Sequence, residues 1–220
     1  MNRIDIVNEV ALRAGYGQSF VANTAAPTNH EEEQMVLYVD RAYQEIQDLH
    51  WNWMFLWDEF SASTVASTAT ITKPATLKQV DKNDFSIFLT SAGSDTKQRL
   101  RYRDWGAFRW AHRIDTAEGY PNEVTIRPDG DLQFHPIPDG VYTVEFGGWT
   151  LADTMTADAD VPLIPADYQQ IIVEKALTLY AADDEAGAVY QSAMTAYVKL
   201  LAELEAAELP KLTAHHRAFA

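Results

Sequence analysis

The sequence predicts an α+β fold, a helical bundle built from both chain ends with a small antiparallel β-domain inserted between its second and third helices. Three observations predict it. Apolar residues recur at three- and four-residue steps near both ends of the chain, whereas the middle turns to Thr, Ser and Val in short runs cut by Pro, Asp and Gly. The 220 residues, 47% of them hydrophobic, are enough chain to bury a core without staples, and there is no cysteine to supply one. The expected division is 1–59 with 160–209 for the bundle, 60–159 for the inserted β-domain and 210–220 for an extended tail.

A first helix is expected over Arg3 to Ala14, where Ile6, Val7, Val10 and Ala14 share a face and Gly15 supplies the stop. After a loop, Thr28-Asn29-His30-Glu31 has capping-box spacing, and Glu31, Glu32 and Glu33 suit the positive end of a helix dipole. Met35, Val39, Ala42, Tyr43, Ile46, Leu49 and Trp53 then form an apolar stripe, so a long helix is expected to about Phe55. Near the other end, Tyr168, Ile171, Ile172, Ala176, Leu179 and Tyr180 repeat the helical period, Asp183 to Gly187 interrupts it, and Tyr190, Met194, Tyr197, Leu201 and Leu204 carry a fourth helix that ends before Pro210.

Between them, strands are expected at Thr64 to Thr72, Ser86 to Thr90, Gln98 to Arg103, Glu123 to Arg127, Leu132 to His135 and Val141 to Trp149. Pro128-Asp129-Gly130 and Asp139-Gly140 give the turns. Asp104 is placed to cap one short helix containing Trp105, Phe108 and Trp110.

Composition and motifs exclude much. With 32 acids against 17 bases the chain carries −15, which opposes whole-surface binding to nucleic acid or anionic membrane. No signal peptide or membrane span is legible, so a soluble, unsecreted protein is expected. A nucleophile elbow, a zinc-protease helix, a Walker loop and a complete dinucleotide fingerprint are all missing. Asp158 and Asp160 resemble the start of a calcium loop, but its glycine and closing glutamate are missing. His50, His112 and His135 read as separate structural histidines, and no catalytic residue, cofactor or metal is expected.

Two segments stand out electrostatically. Lys97 to Arg113 holds six of the 17 bases against one acid, interleaved with Tyr102, Trp105, Phe108 and Trp110. On a single strand Arg99, Arg101 and Arg103 would share one face while Leu100 and Tyr102 point inward. Arginine with aromatics suits a sequence-independent contact to DNA or an anchor in a protein interface; the charge of −15 favours the interface. The terminal Lys211, Leu212, His215, His216, Arg217 and Phe219 form a basic, acid-free stretch that either orders on a partner's groove or is an ordinary loose end.

The order of parts resembles the head-to-tail adaptor proteins of tailed bacteriophages. The features that carry the resemblance are the opening helix closing in Ala14-Gly15, the long helix closing in Trp51-Asn52-Trp53-Met54-Phe55, the exit strand from Phe60, the block Phe134 to Phe146, and the helix opening at Ile164-Pro165-Ala166-Asp167-Tyr168. The arginine-rich Lys97 to Arg113 has no counterpart in that pattern. The resemblance implies a structural virion protein made in the host cytoplasm and located at the tail or neck. It further implies a dodecameric ring between the portal protein and a downstream tail protein (nozzle, tube or stopper), through which DNA passes without specific binding. In such proteins the carboxy-terminal segment docks into the portal, which points to Lys211, Leu212, His215, His216, Arg217 and Phe219. Arg99, Arg101, Arg103, Trp105 and Trp110 are the residues expected to meet a neighbouring subunit or tail component. A tail-borne peptidoglycan hydrolase and a DNA-binding module are the alternatives.

Overall fold

The computed structural model of the protein describes residues 1–210. Its helices are α1 (Arg3–Arg13), α2 (His30–Leu49), α3 (Trp105–His112), α4 (Gln170–Asp183) and α5 (Gly187–Glu208). Its strands are β1 (Trp57–Ser63), β2 (Thr70–Ile71), β3 (Leu77–Leu89), β4 (Gln98–Arg99), β5 (Arg101–Tyr102), β6 (Glu118–Gly119), β7 (Glu123–Ile126), β8 (Leu132–His135), β9 (Ile137–Pro138) and β10 (Tyr142–Thr150). The class is α+β, as the two periodicities predict. The chain divides into two compact units, Met1–Leu56 with the chain from Ala152 onward, and Trp57–Leu151.

In the helical unit α4 packs against α1, α2 and α5. It is buried over much of its circumference through Ile171, Ile172, Val173, Ala176 and Leu177, and its buried Glu174 is paired with Arg13, so it takes the central place in the unit. The helix α1 presents Ile6, Val7, Val10 and Ala11 to this core, and α2 presents Met35, Val39, Ala42, Tyr43 and Ile46. Asn2 and Asp5 form the capping box of α1. Gly15, at φ +99°, ends it in the left-handed conformation that suits a residue without Cβ. The cap of α2 is Asn29, one residue beyond the expected Thr28: its side chain accepts the Glu32 N–H, and the Glu32 carboxylate returns to Thr28. This helix stops at Leu49, and a short 3-10 turn at Met54–Leu56 replaces the expected continuation to Phe55. Among the described residues no helix is long and apolar enough to cross a membrane.

The β unit holds two four-stranded sheets, ordered β1-β10-β3-β4 and β2-β8-β7-β5, with β6 and β9 as a separate pair. Pairing is antiparallel except for β5 with β7 and β6 with β9, which are parallel. Alternate residues Tyr142, Val144 and Phe146 of β10 and Phe85 and Ile87 of β3 turn into one core with Leu100, Val124, Leu132 and Phe134. The strand expected over Thr64 to Thr72 is confined to β2; the residues before it, Trp57–Ser63, make the long antiparallel pairing with β10. A register shift lies between Phe146 and Gly148, where β10 comes so close to β3 that a Cβ on Gly148 would stand 2.7 Å from the Gln79 carbonyl oxygen.

Candidate interaction surface

The expected single strand over Gln98 to Arg103 is two strands in different sheets. Gln98 and Arg99 pair with β3, Leu100 drops into the core at 3% exposure, and Arg101 and Tyr102 pair with β7. Burying Leu100 between the sheets turns the chain at that residue, so Arg99 and Arg101 lie on separate ladders and the three arginines do not form one stripe. Arg99 is exposed and donates from Nη2 to the Asn83 carbonyl at 2.9 Å. Arg101 is exposed and has no ion-pair partner among the described residues. Arg103 is half-buried and turns inward, its Nη2 2.6 Å from Glu123 Oε1.

The helix α3 follows at once, with Asp104 at its N-cap position and Phe108 buried. Trp105 is half-buried, whereas Trp110 is 87% and Ile114 93% exposed. Arg109 and Arg113 flank them, and with Gly106 and Ala111 these residues line one open depression. A one-turn spacing therefore puts a bare indole among guanidinium groups, the composition of an interface anchor. Sequence reading missed the lysines on this unit. Lys73, Lys78, Lys82, Arg99 and Arg101 line two adjoining depressions that share Lys82 and Tyr102. Lys82 sits 5.1 Å from the centre of the Tyr102 ring. By contrast Lys97 is drawn away to Glu145 at 2.6 Å, which raises the Lys97 pKa.

The fold also brings together two histidines that the sequence presents separately. The rings of His112, at the end of α3, and His135, at the end of β8, stack at 3.6 Å between centroids and 19° between planes. His112 Nε2 lies 2.8 Å from Glu123 Oε2, and His135 Nε2 lies 3.4 Å from Asp115 Oδ2. Burial raises the Glu123 carboxyl, but the hydrogen bonds from His112 and Arg103 outweigh it and hold it below the ordinary value. Burial, and then the neighbouring His112, lowers His135. One ligand atom each from His112, Asp115 and His135 can be chosen so that all lie within 4.8 Å of one another, so these three residues could hold a metal ion.

With this geometry set out, comparison of the chain with known families gives a match to the SU10 adaptor protein family over residues 1–216. The chain belongs to the SU10 adaptor protein family. No curated protein matches it. The family is one of phage head-to-tail adaptors, in agreement with the resemblance read from the order of parts.

In this adaptor the charge is unevenly divided. Residues 57–151 hold ten of the 17 lysines and arginines and 13 of the 32 acids, a balance of −3, which leaves −12 for the remainder. The expected portal-docking residues Lys211, Leu212, His215, His216, Arg217 and Phe219 lie outside the described residues.

Proposed function

We propose that this phage adaptor is a structural virion protein that assembles as a dodecameric ring between portal and tail and continues the DNA channel, with no enzymatic reaction of its own. The observation that carries the reading is the family match over residues 1–216. The charge of −15 per chain supports it, because a lumen lined by copies of so acidic a protein repels DNA and lets it slide rather than stick. The subunit or tail contact is assigned to the exposed members of the basic and aromatic surface, Arg99, Arg101 and Trp110, joined by Arg109 and Arg113. Arg103 and Trp105 are half-buried, and Arg103 is paired with Glu123, so they are left out of this contact. The segment Lys211 to Phe219 is assigned to the portal protein.

The test is the scattering mass of the purified chain alone and mixed with portal rings. The expected result is a portal complex carrying a ring of adaptor copies, lost when residues 211–220 are deleted. Absence of any portal complex with the full chain overturns the assignment.

A further inference from the structure

We propose that His112, Asp115 and His135 form a zinc site that ties the end of α3 to the end of β8. Two imidazoles and one carboxylate are a borderline ligand set, which suits zinc and its neighbours among the transition metals and is poor for calcium or magnesium, whose preferred ligands are all oxygen. The separations are close to what the metal requires. Zinc bonds of about 2.0–2.1 Å place the ligands of a tetrahedral site about 3.3 Å apart. The His135 Nε2 to Asp115 Oδ2 distance is already 3.4 Å, and the widest separation in the set is no more than 4.8 Å. The two rings stack 3.6 Å apart at 19°, so their nitrogens do not yet converge; zinc binding requires the His135 ring to tilt off the stack and the exposed Asp115 side chain to turn toward it, with the His112–Glu123 hydrogen bond kept.

The surroundings complete the arrangement. Metal-binding imidazoles characteristically give their second ring nitrogen to a carboxylate, and Glu123 takes that position on His112 at 2.8 Å from Nε2, which leaves Nδ1 as the donor atom. Arg103 fixes Glu123 in turn at 2.6 Å. Both histidines are largely shielded, their side chains 16% and 13% exposed, while Asp115 is open to solvent, so the ion has an entry path and a polar fourth position for water. Asp115 and Glu123 supply two negative charges against the one positive charge of Arg103, so a divalent cation meets a favourable field. The zinc site would hold the helix that carries Trp110 and Arg109 against the sheet, and the assignment stands independently of what that helix touches.

The experiment uses the full chain, stripped with chelator and titrated with zinc chloride by calorimetry at neutral pH, with thermal melts recorded in parallel. The expected result is one zinc bound at this site and a raised melting temperature. His135→Ala and His112→Ala abolish both, Asp115→Asn weakens binding by at least about tenfold, and Glu123→Gln weakens it by about tenfold or more. Asp115→Asn retains an Oδ1 acceptor for the Ala117 N–H, so it tests the site where a histidine variant fails to fold. Zinc held by the terminal His215 and His216 is separated by the double variant His215→Ala/His216→Ala, which keeps the α3 site. The proposal is overturned if the wild type shows neither heat nor a melting shift with zinc, or if Asp115→Asn and His135→Ala bind zinc as the His215→Ala/His216→Ala chain does.

Discussion

Arg3 and Arg101 show how differently the two units use positive charge. Arg3 is buried at 5% exposure, bonds Asp40 through Nε and Nη2, and reaches Thr24 and the Thr156 carbonyl through Nη1. Each other described lysine and arginine of the helical unit also has an acidic partner: Arg13 pairs with Glu174 and Lys175 with Glu45, while Arg41 with Glu45 and Lys199 with Glu203 are exposed pairs one helical turn apart. The β unit, far nearer to charge balance, leaves Arg101, Arg109 and Arg113 at its surface with no ion-pair partner among the described residues. Where acids are in large excess, each described cation has an acid beside it; where they are not, some cations remain available to something else.

The sharpest way to break this contrast is to truncate one arginine in each unit. Arg3→Ala leaves the Asp40 carboxylate and the Thr24 hydroxyl without their donor, and a loss of about 3 kcal/mol is expected, read as a lower urea midpoint in far-ultraviolet circular dichroism. In the β unit the comparable weak point is backbone rather than charge. Gly148→Ala drives a methyl against the Gln79 carbonyl and Leu77 Cδ1, at a cost of about 1–3 kcal/mol, whereas Gly187→Ala at the start of α5 meets open space and gains up to about 1 kcal/mol. Paired melting curves for the two variants check both signs.

Acid acts on the helical unit through more carboxyls of lowered pKa than Glu123 of the β unit alone. In the helical unit Asp158 is held below its ordinary pKa of 3.8 by the side-chain and then the backbone hydrogen bond from Thr24, and Asp160 by the N–H groups of Ala157 and Thr156. Glu32 is held below 4.5 by the backbone and hydroxyl of Thr28. A carboxyl whose folded pKa is lowered contributes stability that is complete above its unfolded value and disappears as pH falls through the folded one. The helical signal should therefore melt at a constant temperature down to about pH 4.5 and progressively lower beneath it, with Asp158→Asn flattening that decline. A steep fall already at pH 6 would contradict this. The smallest stability effect belongs to the surface: Arg101→Glu with Arg109→Glu should change the melting free energy by less than about 0.5 kcal/mol while abolishing ring or tail assembly, measured by scattering mass. Unchanged assembly would reject the assigned contact surface.

These contrasts were unevenly legible in the sequence. The four long helices were legible from apolar residues at helical steps, although α2 stops at Leu49 and not at Phe55, and α4 and α5 are separated where Asp183 to Gly187 breaks the period. The strand β3 was half missed: its buried residues are Leu77, Val80, Phe85 and Ile87, and the register irregularities against β10 erase the two-residue alternation by which a strand is recognised. Arg99, Arg101 and Trp110 stood out by composition, and they are exposed. The inward turn of Arg103 depends on Glu123, and the meeting of His112 with His135 depends on how α3 crosses the second sheet; neither is a matter of local spacing.

The interleaving of the two units along the chain also sets an order of birth. Residues 57–151 leave the ribosome as one continuous stretch with every strand of their sheets present, whereas α1 and α2, made first, must wait with their apolar faces uncovered until α4 emerges. The part translated earliest is thus the part finished last, and α2's Met35-to-Ile46 stripe is the surface a chaperone would meet on the nascent protein.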